Sequence, residues 1–197
     1  MKEFIIFLII FLIIFCASVF IFNGRFLYAQ IKSAMIGMPP ISMVHYEKKE
    51  TKEEVYYPEK LIIPVIGVEA PVIIAESDNE KYLQGLLQEG TILLPGSFAL
   101  NQKGVAVIMG HSSAYPWYKG QYGSVFALLN KLNLNDEIAV FSKDKKFTYR
   151  VMEKQIKAPK DLIFEKQENE SVLYLVSCWP INTAWKRIVI KATLDKD

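Results

Sequence analysis

Cysteine and histidine are scarce in this chain, with two of each among 197 residues. That count excludes a small domain stapled by disulfides and leaves too few soft ligands for a Cys/His zinc site. A surplus of one charge is missing as well: 23 Lys and Arg face 21 Asp and Glu, a formal charge of +2. A nucleic-acid binder would gather a strong basic excess on one face, so no nucleic-acid partner is expected, and the composition calls for no cofactor and no metal. Arginine is rare even among the bases, with twenty Lys but only Arg25, Arg150 and Arg187. What is abundant is apolar surface, 51% of residues against 22% charged, too much for the chain to remain disordered.

Part of that apolar content is one run. Residues 4–22 are nineteen consecutive positions without charge, Pro or Gly, which at ~1.5 Å per helical residue span about 28 Å, one bilayer crossing. A cleavable signal peptide has a shorter apolar core of about 7 to 15 residues followed by small residues at the cut, and neither condition is met. The run is therefore expected to be an uncleaved anchor behind a tail of residues 1–3, with Cys16 a mid-membrane apolar filler. Lys2 is offset by Glu3 on one flank, while Arg25 and Lys32 stand on the other, so the charges leave the orientation open.

Residues 23–59 read as a stalk. An amphipathic continuation stops at Gly37 and Pro39-Pro40, and the mixed-charge run Glu47-Lys48-Lys49-Glu50-Thr51-Lys52-Glu53-Glu54 has no periodic apolar face; His45 in this stretch reads as a linker residue. From Lys60 the pattern becomes short apolar runs broken by turn residues, the habit of a mainly β barrel or sandwich. Strands are expected over 61–66, 70–74, 91–94, 105–109, 137–141, 147–154, 171–177 and 185–194, with short helices over 79–88 and 125–132. Pro64 and Pro71 cannot donate to a ladder and belong at edges or strand starts. The runs 105–109 and 171–177 do not alternate, which marks them as buried.

Setting aside the anchor and the stalk, the domain has one cysteine, Cys178, and one histidine, His111. Each closes a buried apolar strand: Val105-Ala106-Val107-Ile108-Met109 runs into Gly110-His111, and Val172-Leu173-Tyr174-Leu175-Val176 into Ser177-Cys178. Strand ends opening into loops are where a rigid scaffold presents reactive groups. Arg187 follows nine positions after Cys178, and a turn through Pro180-Ile181-Asn182-Thr183 would return it beside the cysteine on an antiparallel strand. A planar, always-charged fork suits an oxyanion better than Lys does. Together they describe a cysteine nucleophile, a histidine acid/base and an arginine anion stabiliser. Singly, each also reads as an ordinary residue: an inert core thiol, a hydrogen-bonded imidazole, a surface ion pair.

These residues resemble the sortases, membrane-anchored cysteine transpeptidases of bacterial envelopes. The resemblance covers residues 60–194, with an opening segment Leu61-Ile62-Ile63-Pro64-Val65-Ile66-Gly67-Val68-Glu69-Ala70-Pro71-Val72, then Gly110-His111-Ser112, Leu175-Val176-Ser177-Cys178 and Arg187-Ile188-Val189-Ile190. It implies an eight-stranded sortase-type β-barrel over 60–197, with Cys178 as nucleophile, His111 as general acid/base and Arg187 holding the oxyanion or positioning substrate. It implies as partners a secreted protein bearing an LPXTG-like C-terminal sorting motif and an amine acceptor such as a peptidoglycan precursor or another protein, joined through a thioacyl intermediate. It also implies the topology, a single-pass membrane protein with N-terminus in the cytoplasm and catalytic domain outside. The family's TLXTC pattern is altered, Tyr174 and Ser177 standing where it has Thr; Ser177 keeps a hydroxyl beside the thiol. Trp179-Pro180 and the short gap to Arg187 look closer to shorter-looped subclasses than to the housekeeping type, and protein anchoring is expected over pilin polymerisation, since no lid before the barrel and no second membrane segment are evident. By the same resemblance residues 157–170 wall the substrate groove, with Leu162, Ile163 and Phe164 as apolar candidates for substrate binding and Ser177 counted with them; an ordinary patch under a loop is the plain alternative for the apolar three. Glu165, Glu168 and Glu170 read as a solvated face rather than a Ca²⁺ site. A cysteine hydrolase without transfer, or a non-catalytic envelope-binding β-domain, are the rival functions.

Overall fold

The structure, a computed structural model, describes residues 54–114, 118, 120–164, 167 and 169–195. The expected anchor at 4–22 and most of the stalk lie outside the described residues, among which no helix is long and apolar enough to cross a membrane. Eight strands are formed: β1 (Lys60–Ile63), β2 (Val68–Ile74), β3 (Thr91–Leu93), β4 (Gly104–Met109), β5 (Glu137–Ser142), β6 (Lys145–Lys157), β7 (Ser171–Trp179) and β8 (Lys186–Leu194). They close into a barrel in the order β1-β2-β3-β4-β7-β8-β6-β5. Two neighbours run parallel, β2 with β3 and β4 with β7, and the rest antiparallel. A parallel pair cannot be joined by a hairpin, and the β2–β3 crossover carries the helix α1 (Glu80–Leu86), whose N-terminus is capped by the Asn79 side chain accepting from Tyr82 N–H at 3.1 Å.

The prolines sit where a missing donor costs least. Pro64 ends β1 and opens a 3₁₀ turn, Pro64–Ile66, which Gly67 closes at φ 63°. The expected 61–66 strand therefore stops at Ile63, and β2 begins at Val68, earlier than expected. Pro71 lies inside β2, but Val72 N–H bonds Glu59 on the β1 side, so Pro71 nitrogen faces β3, whose pairing starts only at Val72. Thr91 Oγ1 donates to Pro71 carbonyl at 2.9 Å, and Gly90 lets the chains pass this closely, since a Cβ there would stand 2.7 Å from that oxygen.

Inside the barrel, alternate residues of facing strands interlock, among them Ile108, Leu173, Leu175, Ile188, Ile190 and Tyr149, all buried. The Tyr149 hydroxyl meets Leu100 carbonyl at 3.2 Å and Ser171 Oγ at 3.0 Å, and burial pushes its phenol pKa up to about 12. A second cluster lies on the outer face of β4, β7 and β8: Val107, Val172, Tyr174, Val176 and Val189, roofed by Leu94, Leu162 and Phe164. β4 and β7 are thus covered on both faces, which is why neither alternates in sequence.

The helix expected over 125–132 does not form. Val125, Ala127 and Leu129 N–H groups bond three residues back, while Phe126 N–H turns aside to His111 carbonyl at 2.8 Å. The segment becomes a chain of turns ending in a 3₁₀ turn, Leu129–Lys131, and it supports the histidine loop.

Candidate active site

β7 runs between β4 and β8, so its end is flanked on both sides. On the β8 side Cys178 is the direct register partner of Arg187. On the β4 side the pairing runs to Met109 opposite Val176, and Gly110 N–H extends it by bonding Val176 carbonyl at 3.1 Å. His111 follows that last bond directly, just past the end of β4, as Cys178 lies near the end of β7. Strand alternation puts Cys178 on the outer face with Val176 and Tyr174, and directly opposed residues share a face, so Arg187 lies on that side too. The thiol is free and partly exposed at the barrel surface. The three residues singled out in the sequence are therefore brought to one end of the three-strand floor.

Each is held by its surroundings. Gly110 admits the side chains packed beneath the histidine loop: a Cβ there would stand 2.7 Å from the Phe126 ring and 3.0 Å from a Val125 methyl. The His111 ring meets Tyr118 edge-on at 5.5 Å and 84°, and Tyr118 hydroxyl is tied to Leu87 carbonyl at 2.8 Å just after α1. Sequence reading missed Tyr118. Its trace is Gly120 and Gly123, where Cβ atoms would stand 2.6 Å and 2.9 Å from the tyrosine side chain. Ser113 Oγ accepts from Asn182 N–H at 2.9 Å, joining the histidine loop to the β7–β8 turn. Within that turn Thr183 N–H bonds Pro180 carbonyl at 3.0 Å, and Arg187 Nη1 donates to Ala184 and Lys186 carbonyls at 3.0 and 2.9 Å.

Ser177 is buried on the interior side of β7, its hydroxyl donating to Gly110 carbonyl at 2.7 Å, so it braces the cysteine strand against the histidine loop. Leu162 and Phe164 pack on the outer cluster, Phe164 meeting Tyr174 with ring centroids 5.0 Å apart, whereas Ile163 between them is 73% exposed. All three line a small recess of about 90 Å³ with Tyr174, Val189 and Lys191. Among the described residues no group of three or more His, Cys, Asp or Glu side chains could hold a metal ion.

Burial holds the His111 pKa below its ordinary value near 6.5. Unfolding then takes up protons between the lowered native value and about 6.5, so stability rises with pH through that window and is lost as pH falls through it. His111 is the one histidine among the described residues. Thermal unfolding at pH 7.5 and pH 5.5 is expected to show a loss on acidification that His111→Gln reduces. An identical loss in the variant would detach the burial of this ring from the acid response.

The family model described as the sortase domain matches residues 61–195. No curated protein matches the chain. Among solved structures, sortase C of Streptococcus pneumoniae is similar at TM-score 0.60 and 21% identity, covering 90% of this chain and 89% of its own. Sortase A of Corynebacterium diphtheriae, a lid mutant, is similar at TM-score 0.59 and 22% identity, with 74% of each chain covered. Sortase C of Clostridium perfringens, solved with the C-terminal cell wall sorting motif, is similar at TM-score 0.58 and 17% identity, covering 73% of this chain and 74% of its own. A family model spanning well over half the chain, on an eight-stranded barrel, establishes that this chain belongs to the sortase family of cysteine transpeptidases.

Proposed function

We propose that this sortase cleaves an LPXTG-like motif near the C-terminus of a secreted protein and transfers the protein to an amine of the cell envelope, a peptidoglycan precursor or another protein. The observation that supports the reading is the register: Cys178 pairs directly with Arg187 of β8, and β4, whose end leads into His111, pairs with β7 on the other side. The Cys178 thiol gives its proton to His111, the resulting thiolate attacks the motif's carbonyl carbon, and the negative charge developing on oxygen is met by Arg187. The C–N bond then breaks, the leaving amine takes a proton from His111, and a thioester remains on Cys178. An incoming amine gives its proton to His111 and attacks the thioester, releasing the thiolate. The lowered His111 pKa keeps the resting ring neutral, able to accept the thiol proton, and makes the protonated ring the readier donor to the leaving amine. The proposal includes residues 4–22 as a single-pass anchor holding residues 60–197 outside the membrane on the stalk of 23–59, with residues 1–3 in the cytoplasm. Leu162 and Phe164 wall the groove for the motif. The short turn between Cys178 and Arg187 supports the shorter-looped subclass, and protein anchoring is the transfer proposed.

The test is intact-protein mass spectrometry of the full chain in detergent with LPXTG-type peptides, with and without triglycine, and with Cys178→Ala as control. The expected result is a mass gain on Cys178 that triglycine converts to ligated peptide. Cleavage indifferent to the amine would establish a hydrolase instead. No adduct, together with ordinary thiol reactivity at Cys178, would leave a binding domain.

A further inference from the structure

We propose that a second, apolar cavity on the outer face is a subsite for the acyl-donor polypeptide upstream of its sorting motif, taking an aromatic or large aliphatic side chain. This rests on the transpeptidase reading above and extends it. The cavity has a volume of about 550 Å³ and lies between the β3–β4 and β6–β7 connections, with Val105 and Val107 as its floor and Phe98 and Phe164 as walls. That volume is in the range of specific ligand pockets, whose linings are mainly apolar with few polar groups. Lys103 is the cation at its edge, and the Ser97 hydroxyl in its lining already accepts from Val107 N–H at 3.1 Å.

The wall is built, not incidental. Phe98 remains 49% exposed, yet its ring lies on Gly104, where a Cβ would stand 2.4 Å away and where φ is 145°. Phe164 is fixed from the other flank by its contact with Tyr174. A half-exposed phenyl held over a glycine faces open space that nothing among the described residues fills.

The position of the cavity identifies its occupant. Val107 is level with Tyr174 and Val105 with Val172, four and six residues before Cys178 on the same outer face. At about 3.3 Å per residue the floor lies roughly 13 to 20 Å from the nucleophile. Beyond Cys178 the sheet ends within one residue, at Trp179. A thioacyl enzyme keeps the N-terminal part of its substrate through both chemical steps and must release the C-terminal part after the first. The retained part therefore belongs over the continuous floor and the leaving part off its open end. An extended chain whose scissile carbonyl is at Cys178 reaches the cavity with residues about five to seven places back, counting the carbonyl's own residue as the first. In an LPXTG motif these are the one to three residues preceding Leu, outside the pentapeptide.

The experiment measures single-turnover acylation of Cys178 in the full chain by LPXTG peptides. These differ only in carrying Phe or Ala at each of the three positions before Leu, and the readout is intact mass. A Phe:Ala preference of at least about tenfold in kcat/KM is expected at one position. It should fall to near one in Phe98→Ala and in Val105→Lys, which places an ammonium on the cavity floor. Because the readout is a ratio within one protein, partial loss of folded enzyme cancels. A ratio near one in the unaltered chain while Cys178 still acylates, or a ratio that persists in both variants, overturns the subsite and leaves the transpeptidase standing. No adduct from any peptide overturns both.

Discussion

Cys178→Ser is expected to reduce acylation and transfer by roughly 10⁴-fold or more, the scale seen when a nucleophile is removed from a coupled catalytic unit. The substitution changes one atom at a site that is only partly buried, in a strand whose packing depends on Val172, Leu173, Leu175 and Val176 rather than on the thiol, so thermal unfolding should be nearly unchanged. What changes is acidity. A thiol ionises near 8.5, within reach of an imidazole, whereas a hydroxyl ionises far higher and needs a base held throughout in strong alignment. Here the His111 ring is oriented by an edge contact with Tyr118, and burial lowers its basicity. That arrangement can exchange a proton with a thiol but is a weak base for an alcohol. The rate constant for adduct formation on residue 178 reports this directly, against the unaltered chain and Cys178→Ala. Turnover of Cys178→Ser within about tenfold of the unaltered chain would sink the thiolate mechanism.

The parts of this site legible in the sequence were those set by local rules. Two apolar runs without alternation signalled strands covered on both faces, and they are: by the barrel core inside and by Leu94, Leu162 and Phe164 outside. The spacing from Cys178 to Arg187 around a proline-containing turn predicted an antiparallel return, and the register places them directly opposite. The placing of the His111 loop beside the end of β7 depends instead on β4 pairing in parallel with β7, a contact across more than sixty positions that no local pattern encodes. Long-range contacts also explain the failures. The 125–132 segment has helical spacing, but His111 carbonyl draws the Phe126 N–H out of any helical ladder. Tyr118 reaches back 31 positions to Leu87, and only the glycines around it hint at the crowding. β6 runs from Lys145 to Lys157, well beyond the expected 147–154, because β5 and β8 pair with successive parts of it across a bulge at Val151 and Glu153.

Arg187→Lys is expected to slow acylation by about 10² to 10³, the cost of losing one oriented donor to a developing oxyanion. Charge is conserved, so the effect isolates geometry. A guanidinium carries five N–H donors in a rigid fork. In this structure Nη1 donates to Ala184 and Lys186 carbonyls, fixing the plane of the group against the β7–β8 turn and leaving the Nε and Nη2 donors for substrate oxygen. A lysine has three donors on one nitrogen at the end of a flexible stem. It can cap the turn or meet an oxyanion across from Cys178, and cannot do both from one position. If Arg187 acts in the transition state, kcat and kcat/KM fall together while the unfolding temperature holds. A purely structural Arg187 would show the reverse pattern: acylation within about threefold of the unaltered chain, and a lowered unfolding temperature as the turn that Ser113 binds through Asn182 loses its cap. Measuring both quantities on the one variant separates an arginine that stabilises charge from one that only holds the turn in shape.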